Sequence, residues 1–239
     1  MDLKSTLPRE DALSIFSMFT RPLATLASLR ERPHWLYPVL LSGIFSVAAN
    51  FYVIQRVGFL RLLDAAAHAS AAIEPQRVLQ NAQTHQTMIL SFQALSTFVS
   101  IILVALVVAK VLWLLLTLLG HDIVYKKILA VVAHAGMLPA ILRECMLVLT
   151  TTIMRDPNAF DLGNPLATNP AFFIRSGSPL VSRLLASLDA FTFINIVLII
   201  VGLNRVCSHL SMRSASLTVV IPWTVYVGAT LLMSTWTPA

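Results

Sequence analysis

Long apolar runs separated by polar stretches dominate the pattern of the chain. A helix that crosses a bilayer needs about 20 largely apolar residues. Five runs are long enough, and they predict membrane-spanning helices at 36–56, 88–119, 128–153, 184–203 and 217–233. The run at 88–119 is unusually long, so we expect its helix to extend beyond the lipid. The predicted fold is an all-α integral membrane protein, a five-transmembrane-helix bundle.

The first 35 residues carry a different pattern. Between Asp11 and Leu29 much of the apolar set recurs every three or four positions, as on one face of a helix. Pro22 interrupts this repeat, so the pattern predicts two short helices rather than one. We interpret residues 1–35 as a cytoplasmic amphipathic segment that lies in the membrane interface. The alternative is a helix packed on the cytoplasmic end of the bundle.

The two long connections differ from each other in composition. Residues 59–86 contain leucines, a run of alanines and a few charges, which predicts a helix outside the bilayer that is broken near Pro75. Residues 155–183 are rich in Pro, Asn, Gly and Ser, which favours turns over a regular element. The last predicted span is followed by a short tail at 234–239.

Composition supports the membrane interpretation and excludes other classes. Hydrophobic residues make up 57% of the chain and charged residues 12%, whereas about 25% of an ordinary soluble domain is charged. So few charges would leave large apolar patches on a surface that faces water. The net charge is +6, but the basic residues stand singly or in pairs. A nucleic-acid partner is therefore not expected.

The positions of Lys and Arg predict the orientation of the bundle. With the N-terminus in the cytoplasm, the inner side contains Lys4, Arg9, Arg21, Arg30, Arg32, Lys126, Lys127, Arg205 and Arg213. The outer side then contains Arg56, Arg61, Arg77, Arg155, Arg175 and Arg183. The inner loops are the shorter ones, and the positive-inside rule is most reliable for short loops. We therefore expect a cytoplasmic N-terminus and an outer C-terminus.

Three ionisable residues fall inside predicted spans, where charges are costly and are usually paired or functional. At about 1.5 Å per residue, Arg143 lies about 22 Å beyond Ile128, and Asp189 lies about 8 Å in from Leu184. In a core about 30 Å thick these two depths coincide. The spacing predicts that Arg143 faces Asp189, or that Arg143 and Glu144 join one polar cluster. Such a cluster is either an ion pair that fixes helix packing or a site for an ion or substrate.

Other polar residues in the spans are secondary candidates. Lys110 lies late in the second span, where its side chain is expected to extend towards the inner headgroups. His134 and Asn195 are expected to form hydrogen bonds between helices. His121 and His209 fall near the same side of the membrane, but two histidines without a spaced third ligand do not predict a metal site. No metal or cofactor is expected.

Motifs of familiar catalytic chemistry are missing from the sequence. It contains no GxSxG, no Walker loop, no HExxH and no GxGxxG. The two cysteines, Cys145 and Cys207, are predicted to lie on opposite sides of the membrane, so a disulfide between them is not expected. The sequence is therefore interpreted as that of a protein that is not an enzyme.

Several stretches resemble a known family. Pro22 precedes the first span, and Trp35 and Pro38 stand at its start. The stretch GHDIVYKKILAVVAHAGMLPAIL, residues 120–142, joins a short basic loop to a helix that contains small residues and proline. The stretch LLASLDAFTFINIVLIIVGL, residues 184–203, has an aspartate near its start and a glycine near its end. Together with five spans, these features resemble the Yip (Ypt/Rab-interacting protein) domain family, especially its bacterial members.

The resemblance covers nearly the whole chain and implies a non-enzymatic protein of a bacterial inner membrane. Eukaryotic relatives bind Rab-type GTPases and act in vesicle traffic. The present chain has no long acidic or aromatic cytoplasmic tail, so Rab binding is not carried over to it.

Two hypotheses of function follow. The first is a membrane scaffold or accessory protein in membrane organisation or trafficking-like processes. Its partners would be membrane lipids and either a second copy or another membrane protein. The alternative is a small transporter, a lipid-handling protein or an accessory subunit of an export system that uses Arg143, Glu144 and Asp189.

Overall fold

A computed structural model of the chain describes residues 17–69, 81–156, 160–161, 163–174 and 177–236. These residues form helices and connecting segments, with no β-strand among them. The beginning of the predicted amphipathic segment and the predicted break near Pro75 lie outside the described residues. The all-α fold class is confirmed.

The described helices follow one another along the chain, with connections of different lengths. They are α1 (Pro22–Ser28), α2 (Leu36–Val57), α3 (Phe59–Ala69), α4 (Gln86–Leu118), α5 (Tyr125–Ile153), α6 (Pro170–Phe173), α7 (Pro179–Ser187), α8 (Ala190–Val206) and α9 (Met212–Trp236). Residues 17–20 and 81–84 are also helical.

Four of these helices, α2, α4, α5 and α9, are long and apolar enough to cross a membrane. A fifth span is present if α7 and α8 are taken together, because the two helices are separated by a short break and bent by 48°. The fourth apolar run of the sequence is therefore two helices at an angle instead of one straight helix.

The helix starts and ends follow from local chemistry. The helical stretch 17–20 ends before Arg21, and α1 begins at Pro22, whose fixed φ suits the first position of a helix. This is the break that the sequence predicts at that proline. Gly58 and Gly120 have φ values of 99° and 80°, a region that favours glycine, and they follow α2 and α4.

The Pro- and Ser-rich connection is more regular than its composition predicts. Helix α7 begins at Pro179, directly after Ser178. Proline can occupy the first turn because the N–H that it lacks would have no partner in the helix there. The expectation of turns without a regular element is therefore wrong for residues 179–183, which form the first part of this helix.

The long helices differ in how much of their surface is covered. In the most apolar 18-residue window, 67% of α5 is buried, against 17% of α4 and of α9. Helix α5 is thus an inner helix, although Pro139 lies within it. Helices α4 and α9 leave most of their apolar side chains uncovered, as expected for helices that lipid solvates.

The chain divides into two compact units. One comprises Met1–Leu41, Leu103–Pro139 and Thr192–Thr230. In this unit a Cβ built on Gly202 of α8 would stand 2.5 Å from Cγ1 of Val131 on α5. Only glycine fits such a close approach of two helices.

The other unit comprises Ser42–Ile102, Ala140–Phe191 and Leu231–Ala239. Its core is a cluster of buried apolar side chains contributed by α2, α5, the connection after α5 and the start of α8. The cluster consists of Val53, Val57, Leu147, Phe160, Leu166 and Phe191. In the same unit a Cβ on Gly43 would meet the ring of Phe98 at 2.6 Å, so α2 and α4 also approach closely.

Candidate functional site

Arg143 and Glu144 are neighbours on α5, and the helix directs their side chains to different surroundings. Glu144 is only 6% exposed, whereas the Arg143 side chain is 52% exposed. Successive residues of an α-helix are separated by about 100° around the axis, so one residue can face the packed interior while the next faces outwards. Arg143 Nη1 still lies 3.7 Å from Glu144 Oε1 and forms an ion pair with it.

Ser46 of α2 supplies the hydrogen bond to this buried carboxylate. Its hydroxyl donates to Glu144 Oε1 across 3.2 Å, and Ser46 itself is buried. The second oxygen, Glu144 Oε2, is buried and has no hydrogen-bond partner among the described residues. Carboxylates inside a membrane span are costly unless they are compensated. One oxygen of Glu144 therefore has two partners, while the other has none in the described structure.

Sequence reasoning did not identify Ser46, although the chain contains a signal for it. Ser42, Ser46 and Asn50 recur every four residues, which places them on one face of α2. Ser42 and Ser46 are both buried. The Asn50 amide donates to the Ser46 carbonyl oxygen at 2.8 Å. A polar stripe on an apolar helix is thus the pattern that indicates the partner of Glu144.

Two further polar contacts join α2 to α5 in the same unit. The hydroxyls of Tyr52 and Thr152 lie 2.7 Å apart. Arg56 Nε donates to the carbonyl oxygen of Thr151 at 3.4 Å. The contact between α2 and α5 therefore contains polar pairs at several positions along the two helices, and Glu144 contributes a charge to it from α5.

Asp189 stands at the break between α7 and α8 and caps α8. Its Oδ1 accepts the backbone N–H of Phe191 at 2.9 Å, which is the bond of an N-cap residue. Its Oδ2 accepts the hydroxyl of Thr168 at 2.5 Å. The Thr168 carbonyl in turn accepts the N–H of Ala190 at 2.9 Å. Asp189 therefore fastens the preceding connection to the first turn of α8.

The predicted pairing of Arg143 with Asp189 is not found. Among the described residues, the ion pair of Arg143 is with Glu144, and Asp189 contacts Thr168 and Phe191. The predicted depth of Asp189 assumes that residues 184–203 form one straight span. The helix instead restarts at Ala190, so Asp189 lies at a helix end where a negative charge is favourable.

Lys110 of α4 lies against two aromatic rings. Its Nζ is 4.0 Å from the centroid of the Trp113 ring and 5.7 Å from that of Tyr125. The Lys110 side chain is exposed. This contact directs the ammonium towards the end of α4, and its extension towards the inner headgroups stays a prediction.

His134 and Asn195 are the remaining candidates, and they have different surroundings. His134 is 1% exposed, and its Nδ1 lies 2.9 Å from the carbonyl oxygen of Ala130 on the same helix. Asn195 Oδ1 is buried without a hydrogen-bond partner among the described residues. It lies 4.0 Å from the position that a Cβ of Gly136 would take. Among the described residues, neither side chain forms the expected hydrogen bond to another helix.

Among the described residues, the possible metal ligands form no cluster of three and the two cysteines form no disulfide. No three His, Cys, Asp or Glu residues gather closely enough there to hold a metal ion. Cys145 and Cys207 are free cysteines, the first exposed and the second buried.

Comparison with known proteins identifies the family. Residues 16–233 match the model of the Yip1 domain. No curated protein and no solved structure gives a match. Because the matched region includes every span candidate and the Ser46–Glu144–Arg143 cluster, it covers nearly all that the structure describes. The chain belongs to the Yip1 domain family.

Proposed function

We propose that the protein is a non-enzymatic scaffold or accessory protein in membrane organisation or trafficking-like processes. It would act through contacts with lipids and with other membrane helices, as a homo-oligomer or with a membrane protein partner. Its Yip1 membership and its apolar helices support a membrane-associated role of this kind.

The observation that carries the proposal is the uncovered surface of α4. This helix has 33 residues, which corresponds to about 50 Å at 1.5 Å per residue. That length exceeds a hydrocarbon core of about 30 Å. Leu103, Val104 and Val107 are each more than half exposed. A helix that is long, apolar and uncovered on most sides is suited to contacts with lipid and with partner helices.

The described groove between α2 and α4 is also suited to a contact with another helix. It has a volume of about 40 Å³ and is lined by Val47, Asn50, Phe51, Ile54, Leu90, Gln93, Ala94 and Thr97. Ligand pockets are typically about 300 Å³ or larger. The groove is therefore too small for a typical solute, whereas its amides could bond a polar side chain of an adjacent helix.

Isolation of the tagged full-length protein from its native membranes in a mild detergent tests this function. The co-isolated proteins and lipids are identified, and a tagged membrane protein of another family serves as the control. A stoichiometric partner, or a defined oligomer of the chain itself, is the expected result. A chain that is always isolated alone and as a monomer, yet moves a solute across liposome membranes, contradicts the proposal.

The proposed location is a bacterial inner membrane, with the N-terminus in the cytoplasm and the C-terminus outside. Replacement of both native cysteines by alanine, followed by single cysteines at Lys4 or Ala239, tests the orientation. A membrane-impermeant maleimide added to intact cells should label the Ala239→Cys chain and spare the Lys4→Cys chain. The reverse labelling contradicts the orientation.

A second candidate function is transport, and Glu144 is the observation that favours it. A buried carboxyl with one unpartnered oxygen is the type of group through which transporters bind a proton or a cation. Proteoliposomes that contain a pH-sensitive dye would reveal proton movement. Transport predicts a proton flux in the wild type that Glu144→Gln abolishes. Equal dye responses from the wild type, the variant and empty liposomes exclude proton transport.

A further inference from the structure

Where α4 and α5 meet, a lysine of α4 lies in a corner formed by two aromatic rings, one from each helix. The rings of Trp113 and Tyr125 are nearly perpendicular, at 84°, with centroids 6.3 Å apart. The ammonium of Lys110 lies 4.0 Å above the Trp113 ring, within the distance of a cation–π contact. It is 5.7 Å from the Tyr125 ring. The two rings therefore determine where this charge is held.

Hydrogen bonds to the backbone fix both rings. The indole N–H of Trp113 donates to the Ile123 carbonyl at 3.0 Å. The Tyr125 hydroxyl donates to the Leu106 carbonyl, also at 3.0 Å. Each bond joins α4 to the segment that begins α5, so the corner is arranged before any ligand binds. Such preorganisation reduces the entropy lost when a ligand is ordered.

The N–H groups of the Lys110 ammonium are available for an anion. Among the described residues, no carboxylate forms an ion pair with Lys110, and its described partners are the two ring faces. A ring face attracts the positive charge but leaves N–H donors that can point elsewhere. Lys110 is exposed, so these donors are accessible from outside the protein.

Lys110 lies in the C-terminal third of α4, within reach of the end of that helix. It precedes the helix end at Leu118 by eight residues, about 12 Å along the axis. Val107 and Leu114, about one turn to either side, are both exposed apolar residues. A lysine between such residues extends its ammonium to the interface while its stem stays in the apolar layer.

The surrounding charge is positive on balance. Helix α5 begins at Tyr125 and carries Lys126 and Lys127 in its first turn. The N-terminus of a helix adds partial positive charge at the same place. Asp122, which is exposed, is the acid of the connection. Two lysines and a helix N-terminus outweigh it, so the α4–α5 connection complements an anion.

We propose that the α4–α5 connection binds an anionic phospholipid, with the lipid phosphate against Lys110. Lys126 and Lys127 attract the headgroup, and Trp113 and Tyr125 hold the ammonium in place. This inference rests on the lipid contacts of the proposed function and names their class. Helix α4 would carry the acyl chains of the same lipid along its uncovered apolar surface.

Full-length protein in nanodiscs tests the site. Discs contain phosphatidylcholine with or without phosphatidylglycerol. Native mass spectrometry counts the lipids that stay bound to the protein after it is released from the disc. Lys110→Gln should reduce retained phosphatidylglycerol about fivefold, the effect of one lost lysine contact at a membrane surface. Lys110→Arg should retain it. Arg213→Gln, which removes an exposed cation of α9, should leave it unchanged.

Two results would overturn the proposal. One is equal retention by the wild type and Lys110→Gln; the other is an equal loss in Lys110→Gln and Arg213→Gln, which indicates diffuse charge. Excess inorganic phosphate should not displace the lipid, because a free anion lacks acyl chains, and displacement would contradict a lipid site. Circular dichroism verifies that each variant is folded.

Co-isolation of protein partners with the same variants separates this inference from the proposed function. Lost lipid retention with unchanged partners supports the lipid site and leaves the scaffold role intact. Unchanged lipid retention with a stable partner refutes only the lipid site.

Discussion

The Ser46 hydroxyl donates to the Glu144 carboxylate across 3.2 Å and connects two helices through residues 98 positions apart. Both residues are buried. The adjacent Arg143 lies 3.7 Å from the same oxygen, but half of its side chain is exposed. In the described structure, the buried charge thus depends on one hydroxyl within the packed interface and on one cation at its edge.

Ser46→Ala should lower the stability of the protein. The change removes the only side-chain hydroxyl that is bonded to Glu144 in the described structure. Hydrogen bonds between membrane helices contribute about 1 kcal/mol. A loss of that size shifts the thermal midpoint by roughly 2–4 °C in a chain of this length. Circular dichroism in detergent measures the midpoint.

The matched control for that variant is Ser96→Ala on α4. Ser96 is exposed, and its hydroxyl bonds to the Gln93 carbonyl of its own helix at 2.9 Å. Its removal should change the midpoint by less than Ser46→Ala does. Equal midpoints for the two variants would contradict the role given to Ser46.

Charge removal at the two ends of the ion pair should have unequal effects. Glu144→Gln removes a buried charge and retains an acceptor for Ser46, so the free energy of unfolding should stay equal or rise. Arg143→Gln leaves the buried carboxylate without its cation, so the free energy of unfolding should fall by about 1–2 kcal/mol. This is less than the penalty for a fully buried pair, because solvent screens the arginine. Unfolding in a denaturing detergent gives the order of stability. A smaller loss of stability in Arg143→Gln than in Glu144→Gln refutes this argument.

Asp189 is expected to act as a helix cap and not as a partner of Arg143. Asp189→Ala should lower the free energy of unfolding by about 1 kcal/mol, whereas Asp189→Asn should have less effect, because Asn also caps helices well. Exchange of charges in the double variant Arg143→Asp with Asp189→Arg should give no rescue over the single changes. Thermal midpoints of the five variants decide between the two roles, and rescue by the exchange would restore the ion-pair hypothesis.

Gly202 should tolerate substitution by alanine less well than Gly228 does. Gly202→Ala places a Cβ 2.5 Å from the Val131 side chain, and overpacking of this kind costs about 1–3 kcal/mol. Gly228→Ala meets no atom within 4 Å, so it should be neutral or slightly stabilising because alanine favours helix. Thermal unfolding compares the two variants.

Val131→Ala provides the internal check on this explanation. It removes Cγ1 and Cγ2 of Val131, which would stand 2.5 and 3.4 Å from the new Cβ, and leaves Leu26 Cδ2 at 3.3 Å. The Gly202→Ala and Val131→Ala double variant should therefore be more stable than the sum of the two single effects predicts. Strict additivity would show that contact with Val131 is not the cause.

The helices and their apolar character follow from the sequence because a bilayer imposes length and composition on every span. The sequence also locates the break at Pro22, since proline cannot continue a helix as other residues do. It does not reveal the break before α8. Apolar residues continue on both sides of Asp189. The carboxylate also accepts a hydrogen bond from Thr168, which is 21 positions away in the chain, and no local pattern specifies that contact.

The partners of the polar residues are harder to predict than their existence. Arg143 and Glu144 are conspicuous in an apolar run, but helix rotation decides which side chain is buried. The contact with Ser46 depends on how α2 packs against α5, which no local pattern specifies. The contacts around Lys110 are equally hard to predict, because the Tyr125 hydroxyl donates to the Leu106 carbonyl of another helix.

Photo-crosslinking in native membranes tests the central claim that the protein works through the uncovered face of α4. A photoreactive amino acid replaces Val104 or Val107, which are 60% and 59% exposed, or the fully buried Val131 as the control. We predict crosslinks to a membrane protein or to a second copy from Val104 or Val107, and none from Val131. A folded protein that gives no protein crosslink from either α4 position, at native expression levels, would contradict the claim.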